Sequence, residues 1–185
     1  MNLRIQGDRL LKTPKTVRPT PSKIRSALFN IWQPWLMDCR WLDLCAGSGA
    51  MGAEALLRGA GKVVAIEVNS STCKIISENL HKVSTTDRFQ VVRADAIKAI
   101  SKLTETFDLI YFDPPYASDL YLPVLTTIHR LCHSETKIAV EHSSYHPLPL
   151  TIGNLEQTDD RVYGQTRLSF FALGTSVLDR QSEGN

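Results

Sequence analysis

The chain has 185 residues, 43% hydrophobic and 22% charged, with a formal net charge of +2, which suits one globular domain with a substantial core. It has no apolar run long enough to span a membrane, and its start lacks a signal-peptide pattern. The four cysteines (Cys39, Cys45, Cys73, Cys132) are scattered without a CxxC pair, so no disulfide framework is expected and a cytoplasmic chain with reduced, mostly core cysteines is.

Charge is unevenly spread. Residues 1–30 hold seven cations against Asp8 alone, a net +6, while the remainder nets −4. A basic lobe on a mildly acidic body points to a polyanion, nucleic acid first, with a solvated charged arm as the plainer reading. Within that lobe, Leu3-Arg4-Ile5 and Arg9-Leu10-Leu11-Lys12 flank Gln6-Gly7-Asp8 and predict a small β-hairpin. Thr20 is then expected to cap a helix whose first position is Pro21. Ile24, Ala27, Leu28, Ile31 and Trp35 extend that helix over about 21–33, and Pro34 helps to end it.

From residue 40, strands and helices alternate. Strands are expected at 41–45, 62–67, 89–93, 107–112 and 137–141, and helices at 50–59, 71–82, 95–103 and 118–132, so the sheet should be parallel with helices on both faces. Two further strands, 155–163 and 166–173 around Gly164-Gln165, should add an antiparallel edge hairpin. Residues 174–185 are small and polar and are expected to be disordered. The resulting fold class is α/β, a Rossmann-like, mostly parallel seven-stranded sheet preceded by the basic hairpin and helix (1–35), with 40–173 as the catalytic sheet of a single domain.

Gly47-x-Gly49-x-x-Gly52 follows the first strand and opens a helix, a nucleotide-binding arrangement. Glu67 ends the next strand, where a carboxylate accepts two ribose hydroxyls. A nicotinamide enzyme is a rival on that pattern alone. Asp43 in the preceding strand would repel a pyrophosphate, however, and Asp95 closes the third strand. Acids at three strand ends suit S-adenosylmethionine, which is cationic and lacks phosphate.

The fourth strand runs into Asp113-Pro114-Pro115-Tyr116, which should open at the same sheet edge. An exocyclic amine on a base is a poor nucleophile and must develop positive charge to attack a methyl sulfonium. The Asp113 carboxylate and the Pro114 carbonyl can accept its two N–H groups, and Pro115 restricts Pro114 so that this carbonyl is preset. Tyr116 offers a face for base stacking.

With its flanking segments the chain resembles the 16S rRNA guanine-N2 methyltransferases of the RsmD type, within the Asp-Pro-Pro-Tyr amino-methyltransferases. The resemblance rests on Gly7-Asp8-Arg9-Leu10-Leu11-Lys12-Thr13-Pro14, on residues 18–30 from Arg18-Pro19-Thr20-Pro21, on Asp43 to Gly52, on Asn79-Leu80, and on Tyr163-Gly164-Gln165-Thr166-Arg167-Leu168-Ser169-Phe170-Phe171. It covers about residues 3–173. It implies methyl transfer to the N2 of a guanine, with S-adenosylmethionine held by Asp43, Ala46, Gly47, Ser48, Gly49, Glu67, Asp95 and Ala96. Asp113, Pro114 and Tyr116 would be catalytic. Arg4, Arg9, Lys12, Lys15, Arg18, Thr20 and Arg25 would meet RNA, whose target base must leave its stack. The implied partner is ribosomal RNA, free or in an assembling small-subunit particle, for a monomer that uses neither metal nor membrane. Adenine-N6 methylation of DNA or RNA, and a non-catalytic ribosome-assembly factor, are the alternatives.

Other signals carry less. His129 and His133 fall four apart on the predicted helix without the HExxH glutamate or a third ligand, and read as ordinary helix histidines. Asp159-Asp160 beside Arg161 reads as a turn and Cys45 as packing, while Glu141 and His142 end the fifth strand and could face the site, with core or edge placement the plainer reading.

Overall fold

In a computed structural model the chain is described over residues 2–14 and 20–174. Lys15, Arg18 and the expected disordered stretch beyond Gly174 lie outside the described residues.

The catalytic half is built on strands whose alternate residues are apolar on both sides, the pattern of a sheet covered on each face. These are β3 (Arg40–Leu44), β4 (Lys62–Glu67), β5 (Phe89–Arg93) and β6 (Phe107–Phe112). Parallel pairing runs β5-β4-β3-β6, and Leu44 sits beside both Ile66 and Phe112. Leu42, Leu44, Ile110 and Phe112 point to one face, under helices α4 (Ala96–Lys102) and α5 (Tyr121–Thr127). Trp41, Leu109 and Tyr111 point to the other, under α1 (Ser22–Trp32), α2 (Ala50–Leu57) and α3 (Ser70–His81).

The remaining strands correct the sequence reading in places. β7 spans Cys132–Ser143 rather than 137–141, because it pairs parallel with β6 on one side and antiparallel with β10 (Thr166–Leu173) on the other. β9 (Leu155–Tyr163) follows β10, and a two-residue strand, β8 (Thr151–Ile152), adds an eighth member at the edge where seven were expected. Asp159 and Asp160 lie inside β9, opposite a register shift at Phe170/Phe171, and form no turn. Asp160 is held there by Arg167 at 2.8 Å and by the Ser169 hydroxyl at 2.8 Å.

The expected helix at 118–132 is cut to α5 and a 3-10 turn over Ile128–Leu131. At its start the Ser118 N–H is still committed to the Pro115 carbonyl at 2.8 Å. Pro123 falls in the first turn, where a missing N–H costs nothing. His133 is consequently on β7, with Nε2 3.0 Å from Asp108, and His129 Nδ1 lies 3.0 Å from the Thr126 carbonyl. No metal-ligand cluster occurs among the described residues, and no helix there is long and apolar enough to cross a membrane.

The basic lobe packs on the α2–α3 side of the sheet. β1 (Asn2–Arg4) pairs antiparallel with β2 (Leu10–Lys12) around Gly7 at φ 70°. The helix α1 begins one residue late: Pro21 takes the cap position with ψ 140°, and Thr20 makes no capping bond. Phe29 stacks on Trp41 at 5.5 Å, and Trp32 meets Trp41 and Phe170 edge-on at 5.4 and 6.1 Å. This aromatic cluster joins α1 to the centre of the sheet.

Arg25, expected at the RNA surface, is buried. Its Nε donates to Glu54 of α2 at 2.6 Å and its Nη2 to the Arg4 carbonyl at 2.9 Å. Arg58 reaches the other Glu54 oxygen at 2.7 Å. A guanidinium can stay in the interior only with such a partner. We therefore expect Glu54→Ala to lower the unfolding free energy by about 3–5 kcal/mol, measured by urea denaturation; a loss under about 1 kcal/mol would show that the ion pair does not hold the lobe on.

Candidate active site

The C-terminal ends of the parallel strands open into one cavity of about 600 Å³. At its floor the chain leaves β3 through Cys45, whose φ of +64° turns it out of the strand. The loop that follows is closed by Gly49, at φ +71°, in a place where a Cβ would stand 2.8 Å from Ile76 Cγ2 on α3. A side chain at Gly52 would strike Val63 Cγ1 at 2.8 Å, so that glycine lets α2 lie against β4. Asp43, Ala46, Gly47, Ser48, Glu67, Asp95 and Ala96 all line the cavity. Gly49, assigned to the cofactor from sequence, is not in the wall: it serves the turn and the α2–α3 contact.

Each acid at the rim also holds backbone. Asp43 accepts the Gly52 N–H at 3.2 Å. Glu67 accepts the Gly47 N–H at 3.2 Å and the Asn69 N–H at 2.9 Å. Asp95 caps α4 by accepting from Ile97 and Lys98 at 3.0 and 3.3 Å, and Asn69, unremarked in the sequence, caps α3 through Ser71 and Thr72. The Gly52 N–H, one of the donors left open in the first turn of α2, is thus already taken by Asp43. Among the described lining residues there is no lysine or arginine. That donor set does not fit a pyrophosphate. It fits S-adenosylmethionine, which is cationic and carries no phosphate.

On the other side of the same cavity stand Asp113, Pro114 and Tyr116, together with Thr20 and Pro21 from the basic lobe. The Asp113 N–H bonds to the Leu44 carbonyl at 3.3 Å, which ties this loop to the end of β3. Tyr121 donates to the Pro114 carbonyl at 3.4 Å. Tyr116 is half-buried, its hydroxyl 3.1 Å from Glu141 Oε1 and 2.8 Å from Thr166 Oγ1. Glu141, read from sequence as core or edge, is in the cavity wall, and its Oε2 accepts from Tyr111 at 2.6 Å. Its position at the end of the fifth parallel strand was the available signal. Thr166 belongs to the Tyr163-Gly164-Gln165-Thr166 segment that carried the resemblance but had no assigned role.

The RNA-side cations are placed variously. Arg9 Nη1 donates to the Lys82 carbonyl at 2.7 Å, and Lys12 pairs with Glu78 at 2.6 Å on the surface. Arg4 has its side chain exposed. Asn79, fully buried on α3, accepts the Lys12 N–H at 2.8 Å and donates to the Lys12 and Ser48 carbonyls at 2.8 and 2.9 Å. One amide thereby joins the basic hairpin to the cofactor loop. Cys45 touches the cavity, but burial and the nearby Glu67 push its thiol up to about 12, so it is no thiolate.

Residues 4–172 match the family model described as Conserved hypothetical protein 95. YlbH of Bacillus subtilis, whose name gives it a provisional rRNA methyltransferase assignment, is 32% identical over 84% of this chain and 88% of its own. Ribosomal RNA small subunit methyltransferase D of Escherichia coli K12 is 28% identical over 88% and 84% respectively. The solved structure of yhhF from Escherichia coli superposes with a TM-score of 0.84 at 27% identity, covering 94% of this chain and 98% of that one.

Asp43 is 1% exposed, and burial pushes its carboxyl from 3.8 up to about 7, opposed by the Gly52 N–H and reinforced by Glu67. The folded chain therefore keeps this proton where the unfolded chain has lost it. Stability from this group is present below about pH 4 and falls as pH rises towards 7. Between pH 4.5 and 7.5 we expect apo Asp43→Asn to gain about 2–3 kcal/mol on the wild type, read as the difference of their urea unfolding energies at each pH. Parallel pH profiles would mean that Asp43 is ionised throughout.

Proposed function

The chain belongs to the Conserved hypothetical protein 95 family, the RsmD family of the sequence resemblance, and we propose that it methylates the exocyclic N2 of a guanine in small-subunit rRNA. One observation carries the reading: Asp113 and Pro114 line the same cavity as the Gly47 loop and Glu67. The rRNA methyltransferase names of the relatives support the substrate class.

S-adenosylmethionine, when bound, supplies a methyl group activated by a sulfonium. The chain's own residues do the rest by placement. Asp113 and the Pro114 carbonyl accept the two N–H groups of the target amine, which favours a more tetrahedral nitrogen and the positive charge it develops. Asp113 Oδ is the acceptor nearest the proton that the amine must lose, and the open cavity passes it to water. Tyr116, held by Glu141 and Thr166, sets the plane of the base. Bringing amine and methyl into line in one cavity is the larger part of the rate gain.

Access is through the basic lobe. Arg4, Arg9 and Lys12 on the hairpin, with Lys15 and Arg18 beyond it in sequence, are the cations that meet phosphate. Arg25, spent on Glu54, is not among them. Thr20 lies in the cavity wall, where the extruded base arrives.

Incubating unmodified small-subunit rRNA with methyl-labelled cofactor should yield N2-methylguanosine at one nucleotide by nucleoside mapping. Asp113→Ala should abolish that turnover while cofactor affinity, measured by calorimetry, stays within a few fold; near-normal turnover would remove Asp113 from the reaction. Replacing Arg4, Arg9 and Lys12 by glutamine should weaken RNA binding and flatten its salt dependence, with cofactor binding spared. RNA affinity unchanged at every salt concentration would remove the hairpin from recognition.

A further inference from the structure

Glu141 is 3% exposed, yet it forms part of the cavity wall beside Tyr116. A carboxylate so placed is costly unless its oxygens are hydrogen-bonded. Two phenols do this, Tyr111 on Oε2 at 2.6 Å and Tyr116 on Oε1 at 3.1 Å. Both phenols keep their protons, because burial pushes Tyr111 far above its ordinary value and Tyr116 up to about 12. Tyr111 is braced in turn by the Thr20 side chain and Tyr116 by the Thr166 hydroxyl. The acid is thus held as an acceptor in a fixed direction.

Its backbone is tied to the amine-binding loop. The Tyr121 hydroxyl lies 3.4 Å from the Pro114 carbonyl and 3.3 Å from the Glu141 carbonyl. One phenol thereby bridges the Pro114 loop and the strand that carries Glu141. The cavity wall also has a third acceptor, Asp113. Both Glu141 oxygens face phenol donors and so act as acceptors, and a carboxylate accepts through about four lone-pair sites. A purine set against such a wall is chosen by how many neighbouring donors its edge presents. Guanine offers N1–H next to its 2-amino group. Adenine has a bare lone pair at N1, and so has 2-aminopurine, which keeps the 2-amino group.

We propose that Glu141 determines which base is accepted: its carboxylate takes the guanine N1–H while Asp113 and the Pro114 carbonyl hold the 2-amino group. This rests on the guanine-N2 reading above and extends it to a residue outside the Asp-Pro-Pro-Tyr loop. A base without N1–H turns a lone pair towards a carboxylate that cannot rotate away, and a polar mismatch of that kind discriminates strongly.

The test uses a small-subunit rRNA fragment with guanine or 2-aminopurine at the mapped nucleotide, and kcat/KM for each with wild type and Glu141→Gln. The wild type should prefer guanine at least tenfold. Glutamine keeps one acceptor oxygen and brings an N–H that can meet a bare N1, so the preference should shrink at least tenfold while S-adenosylmethionine affinity stays within about twofold. If the variant turns over neither fragment, the ratio of the two fragments' dissociation constants, measured with S-adenosylhomocysteine present, decides in the same way. An equal preference in both proteins, or a wild type that does not discriminate, overturns the proposal. Wild type that forms no N2-methylguanosine on the guanine fragment would instead overturn the guanine-N2 reading.

Discussion

Parallel pairing of β3 with β4 on one side and β6 on the other is the constraint from which the site follows. Strands that run the same way end at the same edge. Leu44, Ile66 and Phe112 are neighbours in register, so the loops after them must begin within two strand widths of each other. One loop carries Gly47, one follows Glu67 and one carries Asp113. β7 continues the parallel order and brings Glu141 to the same edge. Asp113 and the Gly47 loop need no further device to line a common cavity.

The charge arrangement at that edge follows from the helices that start there. Each helix N-terminus presents unsatisfied N–H groups, and in a phosphate-binding fold the ligand satisfies them. Here protein side chains do so: Asp43 at Gly52 of α2, Asn69 at α3 and Asp95 at α4. The edge therefore presents acids whose partial neutralisation comes from backbone dipoles. Burying Asp43 there raises its proton affinity, and the expense is tolerable because one N–H already points at it. A cationic ligand arriving there would favour the ionised form of Asp43.

Much of this could be read from the chain. Strands apolar on both faces and a glycine loop between strand and helix are local patterns, and β4, β5, β6, β9 and β10 begin and end where the residues say. The misreadings share a cause, which is that the deciding partner is distant in sequence. Arg25 looks like a phosphate contact until Glu54, 29 residues on, is seen to bury it. Asp159-Asp160 looks like a turn until Arg167 and Ser169 draw Asp160 into a strand. Gly49 looks like a ligand contact, yet its neighbour is Ile76. Glu141, at the end of the fifth strand, reads from sequence as facing either the site or the core and edge, and the cavity wall decides it. The strand-end rule that found Glu67 and Asp113 applies to it equally.

Asn79 shows how the two halves of the molecule are brought to one register. A primary amide has two N–H donors and one carbonyl, and here all three functions are engaged, with the Lys12 N–H and carbonyl on one side and the Ser48 carbonyl on the other. The pairing with Lys12 copies the two bonds that a neighbouring strand would make, so the edge of β2 is closed by a side chain rather than by backbone. Lys82 adds a bond to the Leu10 carbonyl at 3.0 Å, and Leu11 is fully buried between these contacts. An aspartate at the same place would turn an oxygen towards two carbonyls, and a leucine would leave three backbone groups, the Ser48 carbonyl buried among them, without this partner. Only a carboxamide satisfies the geometry, which gives a physical reason for an asparagine within the Asn79-Leu80 pair. The same bonds fix the distance between the basic arm and the loop lining the cofactor cavity. Substrate and cofactor can be aligned to each other only if those two parts of the chain are held as one body.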